Sequence, residues 1–249
     1  MLRKLLVDLS HEDNNPLIED ANQAMLQTIR LLQEEMNVSE DPTHDLRKIE
    51  VWTRGLIFSL SELEQSYVAA AFFRKSIKMG FMDDMTAQEQ MDYARYVYFY
   101  KNGFIRVLSV LDKLGTVLNE QYDLQTAKVK AQYSYFSVIR QLSLYKQHNS
   151  LSEQLSEIKD YYREPIHILR KRRNAEIHYM NTEMEDDLWQ RHQGLHDKIV
   201  LEDVDKHLSE LKLGIDMICK SLSAAYHYIH DQWHNRTLNA NSNSNSNST

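Results

Sequence analysis

The sequence predicts an all-α fold, a multi-helix bundle, and three observations carry that reading. Only 6 Gly and 3 Pro occur in 249 residues, so the chain lacks the turn residues that a sandwich, a barrel or a doubly wound sheet requires. Apolar residues recur at spacings of three and four along most of the chain, which is the period of an amphipathic helix. The 42% hydrophobic and 26% charged residues are ordinary for a globular protein, and the 14 Tyr and 10 Met suit helical cores.

The elements follow in order. Pro16 to Met36 reads as the first helix, capped by Asn14 or Asn15, with Leu17, Ala21, Met25, Ile29, Leu32 and Met36 on one stripe. Asn37 to Pro42 reads as a loop. Thr43 or Asp45 opens a long helix striped from Leu46 to Ile77, and Gly80 is expected to end it. Thr86 and Glu89 have the spacing of a capping box. The helix they open runs to Leu118, with Asn102-Gly103 expected to kink it or to form a tight turn. Further helices are predicted over Leu124 to Tyr145, Ser150 to Tyr162 and Pro165 to Tyr179, and a last one from Asp203 through Trp233. No repeat of 20–50 residues is present, so a solenoid is not expected. Residues 1–238 therefore read as a single domain. Residues 239–249, NANSNSNSNST, form a polar low-complexity tail expected to be disordered.

Charge and cysteine usage narrow the function. Lys+Arg 29 against Asp+Glu 36 leaves −7, which weighs against a broadly basic surface that coats nucleic acid but not against a local basic site. Cys219 is the one cysteine, so no intramolecular disulfide forms; it is expected on an apolar helix face. No apolar run approaches the 18 residues of a membrane span, and Asp8 interrupts the apolar N-terminus. A cytoplasmic protein that makes no membrane contact is expected.

The most unusual local composition lies between Tyr161 and Thr182. Arg163, Arg170, Lys171, Arg172 and Arg173 stand there against Glu164 and Glu176. The run Arg173-Asn174, three residues, His178 has a chemistry of its own. Arginine grips phosphate oxygens as a planar, permanently charged donor. Histidine can take a proton from a ribose 2′-hydroxyl or give one to a leaving 5′-oxygen. Asn174 and His178 are helical neighbours at i, i+4, so the amide can orient the imidazole. Arg173 lies further round such a helix and reaches the same spot only through its long side chain or a helix break.

This order of residues, late in an all-helical chain, resembles the signature of the HEPN superfamily, R-x4-6-H with a polar residue after the Arg. The resemblance implies a HEPN-like bundle acting as a homodimer, with two motif copies facing each other. It further implies a metal-independent endoribonuclease of the toxin, defence or stress type. Arg173 would then bind the scissile phosphate, His178 would be the acid/base and Asn174 would orient it. Arg170, Lys171, Arg172 and Tyr179 would bind substrate, and neither metal nor cofactor is needed. RNA and an antitoxin or other protein partner are the expected partners. Some toxin members carry a Tyr two residues after the His, where this chain has Met180, with Tyr179 adjacent to His178 instead. The alternative is a non-catalytic helical interaction module that uses the same basic segment to bind a nucleotide, RNA or a protein.

Two other groups of residues have functional chemistry. His227, His230 and His234 share one face of the last helix, but ligands drawn from one helix seldom close a zinc tetrahedron, so surface or interface histidines are expected. Tyr93, Tyr96, Tyr98, Phe99 and Tyr100 can stack nucleic-acid bases, yet core or dimer-interface packing is the expected role.

Overall fold

The structure is a computed structural model that describes residues 15–38, 41–178 and 200–246, with side chains through His234. The fold is all-α. Eight α-helices are described: α1 (Pro16–Val38), α2 (Asp45–Arg74), α3 (Ala87–Gln121), α4 (Thr126–Val129), α5 (Tyr135–Leu142), α6 (Asn149–Tyr161), α7 (Arg163–His178) and α8 (Val204–Ser246). Among the described residues the extended structure amounts to an isolated antiparallel bridge between Phe81 and Val200. No helix among them is long and apolar enough to cross a membrane. The side chains of the Asn/Ser tail lie outside the described residues, as does Tyr179.

Two compact units are formed, and α2, α3 and α8 contribute residues to both. The unit that contains residues 15–58, 110–161 and 217–249 buries Met25, Ile29, Leu32, Leu56, Leu111, Leu114, Leu118, Leu142, Leu155 and Leu222. Two of its buried polar groups are paired with neighbours, as low-dielectric surroundings favour. The Glu50 carboxylate accepts from Gln33 at 2.8 Å and from Arg54 at 2.8 Å. Thr53 and Tyr226 share a hydroxyl–hydroxyl bond of 2.9 Å. Cys219 is fully buried in this unit, as expected of a small hydrophobe.

Several helix boundaries differ from the sequence expectation, each for a local reason. Asn15 does cap α1, its Oδ1 accepting the Leu17 N–H at 3.1 Å, but the helix runs on to Val38, into the segment read as loop. By contrast α2 opens at Asp45, one of the two expected starts, and the Asp41 carboxylate accepts an N–H from its first turn, that of Arg47 at 3.1 Å. The segment from Leu124 to Tyr145 is not one helix but two short ones, α4 and α5. Asp123 and Gln125 take positive φ values of 46° and 52°, which no continuing helix allows. Ser134 and Ser137 then form a capping box that starts α5, and the Asp112 carboxylate accepts the Tyr135 N–H at 3.0 Å.

The second unit contains residues 59–109 and 162–216. In it α2 ends at Arg74, not at Gly80. The chain that follows is held by side chains, so no left-handed glycine is needed. Arg74 donates to the Ile77 carbonyl at 2.5 Å and makes a two-point contact with Asp205 at 2.8 and 2.6 Å. The Glu89 carboxylate accepts the Lys78 and Met79 N–H groups at 2.6 and 2.8 Å. Only half of the predicted capping box therefore forms: Thr86 accepts the Glu89 N–H at 3.2 Å, while Glu89 turns to the incoming strand of chain. These backbone bonds hold the Glu89 carboxyl below its ordinary range.

Asn102-Gly103 neither kinks nor breaks α3, which is continuous over 35 residues. The glycine serves a close approach instead. A Cβ there would meet Leu211 Cδ2 at 2.8 Å, so its absence lets α8 lie close against α3. Asn102 accepts from Ser66 at 3.0 Å and from Arg106 at 2.5 Å, which joins α3 to α2. Gly214 plays the same part on α8, since a Cβ would lie 2.6 Å from Leu169 Cδ1 on α7.

Candidate functional site

Helix α7 carries the unusual segment, and its sequence REPIHILRKRRNAEIH explains its placement. Only Ile166 and Leu169 are buried on it, so apolar packing alone gives a weak hold. Polar anchors complete the attachment. Arg172 donates to the Tyr100 hydroxyl at 2.5 Å, pairs with the Glu210 carboxylate, and places its guanidinium 5.8 Å from the centre of the Tyr100 ring. His207 stacks on the Tyr100 ring itself, with the two centroids 5.1 Å apart and the planes nearly parallel. One turn further along α7, Glu176 pairs with Lys101 at 3.0 Å. These contacts set both the depth of α7 and its rotation about its own axis.

Electrostatics in this cluster follow from burial. His207 is pushed down to about 4, first by burial and then by the nearby Arg172 charge, so the ring is neutral at neutral pH. Its Nδ1 faces Glu202 at 3.6 Å, a distance at which burial still dominates. Burial likewise pushes the Tyr96 and Tyr100 hydroxyls upward. They remain donors, and Tyr96 donates to the Val204 carbonyl at 3.0 Å. Of the aromatic group read from the sequence, Tyr93, Tyr96 and Tyr100 are core, whereas Tyr98 is exposed.

The opposite face of α7 holds the residues singled out by their chemistry. The helix is unbroken through His178, which is exposed in its last turn. Asn174, half-buried, lies one turn earlier on the same face, and Arg170 and Lys171 are exposed on that face a turn earlier still. Arg173 is not brought to them. At about 100° per residue it sits roughly 140° round the helix from His178, half-buried on the flank. Its Nε is buried and has no hydrogen-bond partner among the described residues. Arg172, expected beside Arg170 and Lys171, points the other way, because Glu210 and Tyr100 take up its guanidinium.

Tyr100, Lys101, Glu176, His207 and Glu210, which support α7, are not recognised from the sequence as one cluster. A faint signal exists: Tyr96 and Tyr100, and likewise His207 and Glu210, repeat at helical spacing. Their meeting, however, joins parts of the chain about 110 residues apart. Among the described residues no group of three or more His, Cys, Asp or Glu is arranged to hold a metal ion. His230 and His234 stack with ring centres 6.4 Å apart, and His230 faces Asp231 at 3.7 Å.

The model of one HEPN family matches residues 52–230, which takes in α7 whole together with α3 and all the residues that anchor it. The chain belongs to the HEPN_Cthe2314-like HEPN family. No curated protein and no solved structure matches it.

Proposed function

We propose that this HEPN domain is a metal-independent endoribonuclease of the toxin, defence or stress type, working as a homodimer in the cytoplasm under control of an antitoxin or another protein. One observation carries the reading. Asn174 and His178 occupy the exposed end of α7, continuous with the cationic Arg170 and Lys171, on a helix whose rotation is held by Arg172 and Glu176.

In this mechanism the 2′-oxygen of a ribose attacks the adjacent phosphorus and the bond to the 5′-oxygen breaks. His178 transfers the proton, Asn174 holds its imidazole, and Arg173 neutralises the charge that builds on the phosphate. The products are a 2′,3′-cyclic phosphate and a 5′-hydroxyl. A second copy of α7 facing the first would bring an Arg173 to the His178 face that one helix by itself does not supply.

The test is RNA cleavage by purified protein in EDTA, with wild type beside His178→Ala and Arg173→Ala and folding checked by circular dichroism. Cleavage by wild type alone, leaving cyclic phosphate ends, is expected. A His178→Ala protein that cuts at the wild-type rate overturns the assignment. Binding without cleavage is the second reading, a non-catalytic module; the inward turn of Arg172 favours it, because it leaves fewer cations at the surface beside His178.

A further inference from the structure

The cationic character of α7 does not stop at the motif. At about 100° per residue, Arg163, His167, Arg170, Lys171, Asn174 and His178 fall within an arc of roughly 100°, close to one residue for each turn. Arg163, His167, Arg170, Lys171 and His178 are all exposed. Glu164 stands at the edge of the arc, and Glu176 is turned away to Lys101. None of Arg163, His167, Arg170 and Lys171 has an ion pair or a side-chain hydrogen bond among the described residues. The inward positions Ile166, Leu169 and Arg172 hold the helix in place, so the exposed members of the outward row are not needed for packing. Among the described residues Arg163, Arg170 and Lys171 thus form a strip of unpaired positive charge, on a chain with a net charge of −7.

From these observations, and resting on the reading of the domain as an RNA-cleaving enzyme, we infer that this face is a track for the backbone of single-stranded RNA. Arg163 and His167 hold phosphates remote from the bond that His178 addresses. From Arg163 to His178 the helix rises about 22 Å at 1.5 Å per residue, so the track spans several nucleotides. A single strand fits because attack by a 2′-oxygen needs that oxygen, the phosphorus and the 5′-oxygen in line, an alignment that a stacked duplex prevents. Contacts to phosphates from Arg and His carry no base preference, so the track sets affinity and the length of RNA engaged, not its sequence.

The experiment uses the full chain with Arg163→Gln, Arg163→Lys and the double variant Arg163→Gln/His167→Gln. Two probes are used: a fluorescent single-stranded oligoribonucleotide for cleavage, and its uncleavable 2′-deoxy counterpart for binding by anisotropy across a salt series. The Gln variants are expected to raise KM several-fold. They should also flatten the plot of log affinity against log salt, by about 0.7 for the Arg163 charge removed. Arg163→Lys should keep the wild-type slope, because it keeps the charge. Unchanged affinity and slope in the double variant would overturn the track. The reading of the domain as a nuclease fails separately, when wild type binds the deoxy probe but does not cut the RNA. In that case weakened binding by the Gln variants still upholds the track.

Discussion

His207 offers a sharp test of the cluster beneath α7, because its ionisation is opposed by its surroundings. The ring is stacked on Tyr100 and faces the Arg172 charge, and its pKa is lowered from 6.5 to about 4. Above pH 6.5 the residue is neutral whether the chain is folded or unfolded, so it has no effect on stability with pH. Between pH 6.5 and about 4 the unfolded chain takes up a proton that the folded one refuses, and stability falls as pH falls. Below about 4 both states are protonated and the loss is complete. At 1.36 kcal/mol per pKa unit the loss is at most roughly 3 kcal/mol, and about 1–3 once residual contact with water is allowed for. Urea unfolding midpoints from pH 7 to pH 4 should therefore drop more steeply for wild type than for His207→Asn. Glu50 and Glu89, both held below their ordinary range, also cost stability in acid as they protonate. They do so equally in both proteins and at lower pH. Parallel curves for wild type and His207→Asn would refute the reasoning.

Two further outcomes test the packing. Arg172→Met leaves the Glu210 carboxylate, only 7% exposed, without its cation, and should cost about 3–5 kcal/mol. Adding Glu210→Leu should restore most of that, and a double-mutant cycle in urea that comes out additive would show that the pair does not couple. The glycines of α2 and α3 should respond with opposite sign. Nothing lies within 4 Å of a Cβ at Gly55, so Gly55→Ala should stabilise by about 1 kcal/mol. A Cβ at Gly115 would lie 3.0 Å from the Tyr135 Cα, which is backbone that cannot swing aside, so overpacking of about 1–3 kcal/mol should outweigh the helix gain. Thermal unfolding of the two variants beside wild type reads both signs.

Legibility in the sequence follows the range of the forces involved. Helix periodicity and caps act within a few residues, so α1, α3, α6 and α7 are read with nearly their observed limits. Asp203 caps α8, its carboxylate accepting the Lys206 N–H at 2.9 Å, although α8 runs on to Ser246, past the expected end at Trp233 and into the segment expected to be disordered. The misread positions are those where a distant residue outbids a local signal. Gly80 has the character of a helix stop, but Arg74 and Glu89 take over the chain six residues earlier. Asn102-Gly103 has the character of a turn, but its meaning is the approach of Leu211. The apolar spacing from Leu124 to Tyr145 suits one helix, but Asp112 and the pair Ser134 and Ser137 divide it.

The candidate site divides along the same line. An all-α chain, a helix ending at His178, and Asn174 one turn before it all follow from residue order, because periodicity and i, i+4 spacing are properties of a single helix. The fate of the four consecutive cations does not. Arg170 and Lys171 face solvent, Arg172 is drawn inward and Arg173 sits on the flank, because Tyr100 and Glu210 from α3 and α8 converge on Arg172 and so set the rotation of α7. A guanidinium turned inward and half-buried is tolerable where a carboxylate and a hydroxyl meet it, and that meeting is made by folding, between residues remote along the chain.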